Sequence, residues 1–156
     1  MLHHMSIAAE NPKQVAEVLA ELWQSQALPF PFYPNSYIAF AGDDHGTVIE
    51  VYPLGYEIVP GNPELPDLKS GQAVTRYTAT HAAISVPLEL EQIQQIAARE
   101  GWQCFVGDRG PFFQVVEFWV ENTVLLELLT PRMAAQYTAF STPQNWEQLV
   151  LATPMA

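Results

Sequence analysis

The chain has 156 residues, 49% apolar and 12% aromatic, enough for one domain or for two small halves sharing one core. Seventeen acids against six Lys and Arg leave a net charge of −11, a surface that repels phosphate backbones and anionic lipid and argues against nucleic-acid or membrane partners. No run approaches the roughly 18 apolar residues of a membrane span, no basic leader region opens the chain, and the single Cys104 leaves no internal disulfide framework, so a cytoplasmic protein is expected.

Residues 2–9 alternate, with His3, Met5 and Ile7 on one face and His4, Ser6 and Ala8 on the other, as in a strand with one apolar face. Asn11-Pro12 supplies an N-cap and a first-turn proline. Val15, Val18, Leu19, Leu22 and Trp23 recur at helical spacing, which predicts a helix from Pro12 to about Gln24. "ALPFPFYP" is broken by proline and fits an edge strand or a loop. "SYIAFAGDDHGTVIEVYP" reads as a hairpin around residues 42–46. Residues 54–75, dense in Pro and Gly, read as a linker. The pattern then restarts: a strand over 76–86, a helix over 87–100 stopped by Gly101, a short strand over 102–106, and a hairpin around Glu121-Asn122. The tail after Pro131 has room for a short helix, with Thr142-Pro143 placed to cap "QNWEQLVL".

The same element order therefore occurs twice, and the residues align. Beneath "HMSIAAENPKQVAEVLAELWQ" lies "HAAISVPLELEQIQQIAAREGWQ", with His4 on His81 and Trp23-Gln24 on Trp102-Gln103 after a two-residue gap. Farther on, "VIEVYP" falls on "LLELLTP", matching Glu50 with Glu127. The histidine-to-glutamate separations agree, since 50 − 4 = 46 and 127 − 81 = 46.

At these residues the chain resembles the vicinal oxygen chelate superfamily, the fold of glyoxalases, bleomycin-resistance proteins and dihydroxybiphenyl dioxygenases. The resemblance covers about residues 1–131. It implies an α+β fold of two βαβββ modules, residues 1–53 and 76–131, joined by the linker 54–75 and followed by a tail, 132–156. The modules would form an open eight-stranded mixed-sheet cleft. It also implies metal ligands from the first and last strands of each module, which here match His4, Glu50, His81 and Glu127. Proteins it resembles range from isomerases and ring-cleaving dioxygenases to drug-sequestering proteins without a metal.

The residues read by themselves agree with such a set. Glu50 lies between Ile49 and Val51, and Glu127 between Leu126 and Leu128, so each points away from its apolar neighbours. A carboxylate within an apolar run is costly to bury unpaired. Two imidazoles and two carboxylates would neutralise a divalent ion, Zn, Ni, Fe, Mn or Co, and leave positions for a substrate with two adjacent oxygens. Glu50 or Glu127 could then alternate between ligand and general base. The competing reading keeps the histidines as cleft-lining residues bonded to the glutamates. His3 breaks the repeat register and should face the helix. His45 reads as a loop histidine and Cys104 as a buried strand residue. Tyr52 should share the face of Glu50 and either line the cleft or pack, as Leu129 should share that of Glu127. Arg109 reads as a solvated loop charge or an anion-binding residue at the rim.

Three functions thus stand open: a glyoxalase I-like metal-dependent lyase or isomerase, with an iron dioxygenase as its variant; a non-catalytic protein that sequesters a small or cationic hydrophobic ligand; and a structural or interaction domain with no ligand. Too few cations accompany the repeat to anchor the carboxylates of glutathione. A homodimer is expected, with the modules paired within a chain or across it.

Overall fold

The structure, a computed structural model, describes residues 3–59, 67–71, 81–142, 144, 145 and 148. The first module runs β1 (His4–Ala9), α1 (Pro12–Leu22), β2 (Ala27–Pro29), β3 (Tyr37–Phe40) and β4 (Val48–Pro53). The second runs β7 (Ala82–Ser85), α2 (Leu90–Glu100), β8 (Cys104–Asp108), β9 (Gln114–Val120) and β10 (Val124–Leu129). Each module closes into a four-stranded mixed sheet of the same order, β1-β4-β3-β2 and β7-β10-β9-β8. Residues 76–80 of the expected second-module strand lie outside the described set.

Register confirms the repeat residue by residue. In the parallel pairs Ser6 lies opposite Glu50 and Ala83 opposite Glu127, so 50 − 6 = 44 and 127 − 83 = 44. A shift of 77 residues therefore carries Ser6, Glu50 and Tyr52 onto Ala83, Glu127 and Leu129. The proline-broken β2 is an edge strand, where its missing N–H costs no ladder bond.

Local signals explain the helix ends. Asn11 accepts a hydrogen bond from the Gln14 amide at 3.3 Å, ahead of Pro12. The second helix starts at Leu90, three residues later than its periodicity suggests. There the Gln92 side chain takes the Glu89 amide at 3.0 Å. Gly101 ends it at φ 71°, a left-handed C-terminal stop that glycine adopts without strain.

One apolar core joins the modules. It contains Val15, Leu19 and Leu22 of α1, Ile49 and Val51 of β4, Ile93 of α2, Phe118 of β9, and Leu126 and Leu128 of β10. Trp102 meets Phe118 edge-on, with centroids 5.6 Å apart. Polar ties cross the same boundary: the Trp23 indole donates to the Ser85 carbonyl at 3.1 Å, and Arg99 forks onto Glu21 at 2.6 and 3.0 Å. Glu121, in the left-handed β9–β10 turn at φ 48°, accepts from the Glu10 and Asn11 amides at the start of α1, at 2.6 and 2.8 Å.

One feature differs from the sequence reading. The segment read as a linker contains an antiparallel hairpin, β5 (Tyr56–Val59) with β6 (Asp67–Ser70). The tail opens with the helix it had room for, α3 (Pro131–Phe140), capped by Thr130 and anchored by the buried Met133. Thr142 does accept from the Asn145 amide, at 3.3 Å, as its cap pattern implied.

Candidate functional site

Each sheet has one face turned to the core and one turned away. In the first module Met5, Ile7 and Ala9 point inward, and His4, Ser6 and Ala8 line the other face. Glu50 stands on that outer face beside Ser6 on β1 and Ile38 on β3. Its Oε2 accepts from the Tyr52 hydroxyl at 2.8 Å and from the Ser6 hydroxyl at 3.0 Å. Burial, and then the bond to Glu50, push the Tyr52 phenol pKa well above its ordinary value, so it stays a donor. Among the described residues no Lys or Arg forms an ion pair with Glu50.

Tyr52 leads into a cluster of rings. Tyr33 lies 5.5 Å from it and Phe30 6.2 Å, both edge-on. Phe30 also touches Phe32 at 5.3 Å, and Phe32 is 63% exposed. A half-buried carboxylate and a partly exposed aromatic group therefore share one patch.

The second module is built differently on the same frame. Ala83 and Leu129 stand where Ser6 and Tyr52 stand in the first, so Glu127 has no hydroxyl donors at those positions. Opposite it on β9 is Glu117. Arg109, from the β8–β9 connection, serves both: its Nη2 is 2.6 Å from Glu127 Oε1 and 2.9 Å from Glu117 Oε1. The carboxylates are 14% and 15% exposed, and Arg109 35%. The bonds to Glu127 and then Glu117 raise the guanidinium pKa further, fixing its charge. Gly107 makes the room, because a Cβ there would come within 2.8 Å of Glu117 Oε1 and 2.9 Å of Arg109 Nη1.

The two glutamates singled out from the sequence are thus placed on equivalent strands but engaged separately. His4 is an exposed residue paired with Val48, and His81 is exposed immediately before β7. Glu50 is held by hydroxyls and Glu127 by a guanidinium. Among the described residues no three His, Cys, Asp or Glu side chains gather closely enough to hold a metal ion. In addition, a divalent ion about 5 Å from a guanidinium is repelled by roughly 6–7 kcal/mol at an effective dielectric near 20, before salt screening. In this arrangement the residues do not fit a four-ligand metal centre.

His3 is exposed instead of facing the helix, and its Nδ1 lies 2.8 Å from the His45 carbonyl oxygen. His45 sits in a turn ordered by Asp43, whose Oδ1 accepts from the His45 and Thr47 amides at 3.0 Å each. Burial pushes the Cys104 thiol pKa up, away from nucleophilic chemistry. Arg109 is neither free in solvent nor open to an anion. Glu117 escaped the sequence reading, although it sits between Val116 and Phe118 as Glu127 sits between two leucines. Two surface hollows, of about 260 Å³ beside Phe112 and Gln136 and about 440 Å³ around Arg99 and Gln92, lie away from these carboxylates.

The architecture has clear relatives among solved structures. FosX, a fosfomycin resistance protein of Listeria monocytogenes complexed with Mn(II) and sulfate, superposes at TM-score 0.58 and 11% identity, covering 90% of this chain and 97% of that one. The fold is that of the vicinal oxygen chelate superfamily. A structure described as a glyoxalase family protein of Bacillus anthracis matches this chain at TM-score 0.54 and 13% identity, over 82% of this chain and 92% of that. A glyoxylase/bleomycin resistance protein/dioxygenase domain of Frankia matches at 0.51 and 14%, over 83% and 96%. No protein-family model matches the sequence, and no curated protein does. No helix among the described residues is long and apolar enough to cross a membrane.

Proposed function

We propose that this protein binds a small organic cation on the open face of its first module and that this binding needs no metal. The observation that carries the reading is Glu50, a half-buried carboxylate that two neutral hydroxyls orient and no described cation neutralises. A buried charge without a counter-charge is costly, and a ligand cation would relieve that cost. Phe30 and the exposed Phe32, which reach Glu50 through the buried rings of Tyr52 and Tyr33, offer π faces, each good for about 0.5–2 kcal/mol against a quaternary or alkylated ammonium. The net charge of −11 draws cations to the surface. Glu50 acts as the charge partner, Tyr52 and Ser6 fix its oxygen, and Phe30 and Phe32 close over the alkyl groups.

Calorimetric titration with choline and with 3,3-dimethylbutan-1-ol, its neutral isostere, tests this reading. Choline should bind about tenfold or more tightly than the alcohol, and Glu50→Gln should erase the difference. Equal affinities, or no choline binding, would sink it.

A second reading is a glyoxalase-like metal enzyme with His4, Glu50, His81 and Glu127 as ligands and Glu50 or Glu127 as base. The shared spacing of the two histidine–glutamate pairs favours it, as does the Mn(II) named in the FosX complex. It requires Arg109 to leave Glu127 and both histidines to turn toward one point. Metal content of protein purified without immobilised metal separates the readings: a stoichiometric first-row metal supports the enzyme, and its absence with no uptake supports the binding protein.

A further inference from the structure

The two modules hold their glutamates in opposite ways on one frame, and the difference is local. The connection after the second strand of the first module carries rings: Phe30, Phe32 and Tyr33. At the 77-residue equivalent of Phe30 the second module has Gly107, and two residues on it has Arg109. The glycine leaves the space that the guanidinium and Glu117 fill, since a side chain there would strike both. Glu117 answers Ile38 of the first module: the former lies opposite Glu127 and the latter opposite Glu50. Gly107, Arg109 and Glu117 thus replace a ring, a ring and an isoleucine.

We infer that Arg109 is a resident cation that closes the second half-site, holding Glu127 and Glu117 where a metal ion would otherwise take Glu127. One guanidinium spans two carboxylates that face each other across an antiparallel pair, a position in which like charges repel unless a cation lies between them. One guanidinium nitrogen, Nη2, makes both contacts, so a single delocalised and permanently charged group serves the two carboxylates. The inference rests on the geometry around Glu127 and stands whether or not Glu50 binds an organic cation.

The test is Mn(II) binding, followed by the electron paramagnetic resonance signal of the free ion, in wild type, Arg109→Ala, Arg109→Gln and Arg109→Ala/Glu127→Gln. Wild type should bind Mn(II) weakly, and Arg109→Ala and Arg109→Gln about tenfold or more tightly. The added Glu127→Gln should return the affinity to the wild-type level. Arg109→Lys should fall between, because it keeps the charge on a shorter, more strongly hydrated head. Circular dichroism establishes that each variant is folded. A wild type that binds Mn(II) stoichiometrically and loses it with Glu127→Gln would overturn the inference, as would folded Arg109 variants with no gain. A measurement on the wild type alone decides the matter should both variants unfold. The Arg109 guanidinium NMR signals should stay sharp at equimolar Mn(II), and their selective broadening would overturn it.

Discussion

Glu121→Ala should uncouple the modules at one point. The Glu121 carboxylate reaches from the β9–β10 turn of the second module to two successive amides at the start of α1 in the first, at 2.6 and 2.8 Å. These bonds are charge-assisted but exposed, so about 1 kcal/mol each is a fair figure. The negative charge at the helix N-terminus adds about 0.3–1 kcal/mol. The loss should be about 2–3 kcal/mol, a fall of roughly 5–12 °C in Tm for a chain of this size. Glu121→Gly makes a finer test. Glu121 sits at φ 48°, where a side chain is strained and glycine is not. Glycine loses the same two bonds but should regain about 1 kcal/mol relative to alanine. Thermal unfolding by calorimetry reads the stabilities, and amide exchange at Glu10 and Asn11 reads the local effect. A Tm unchanged to within about 1 °C, with those amides still protected, would refute the claim that Glu121 latches α1 to the second module.

Three further outcomes are expected. Phe118→Ala removes a fully buried ring against Trp102 and should cost about 3–5 kcal/mol in denaturant unfolding. The Asp43 pKa is depressed from 3.8 to about 2, first by its hydrogen bonds to Thr47 and then by that to His45. A depressed carboxylate stabilises the fold above its unfolded pKa, so this contribution is intact above about pH 4 and fades as pH falls toward 2. Asp43→Asn should flatten the stability curve in that window and leave it parallel to wild type at neutral pH. Tyr52→Phe removes one donor to Glu50 and keeps the ring, so it should cost about 1 kcal/mol of stability and weaken choline binding far less than Glu50→Gln. An equal loss in the two variants would show that the hydroxyl, and not the charge, governs binding.

Much of this was legible in the sequence, and for a definite reason. Strand alternation and parallel register are periodic, so two copies of one module leave the same spacings in the chain. Those spacings placed Glu50 and Glu127 on equivalent strands and predicted that Tyr52 shares a face with Glu50. What periodicity does not carry is the reach of a side chain from a connection. Arg109 belongs to a turn, and only the folded sheet brings it over Glu127 and Glu117. Gly107 lies in β8, and its value is the room it leaves for Glu117 and Arg109. The β5–β6 hairpin was hidden because neighbouring prolines and glycines outweighed the short β-rich run over 56–59. His3 was read by strand alternation, but the strand begins only at His4, and His3 is exposed with its Nδ1 at the His45 carbonyl.

The central claim is a division of labour: an open carboxylate at Glu50 and a closed one at Glu127. A two-dimensional NMR titration of the wild type with choline tests it most directly. The account predicts shifts at Ser6, Glu50, Tyr52 and the rings of Phe30 and Tyr33, with Arg109, Glu117 and Glu127 unmoved. Shifts centred on Arg109 and Glu127, or none at Glu50 at saturating choline, would contradict it.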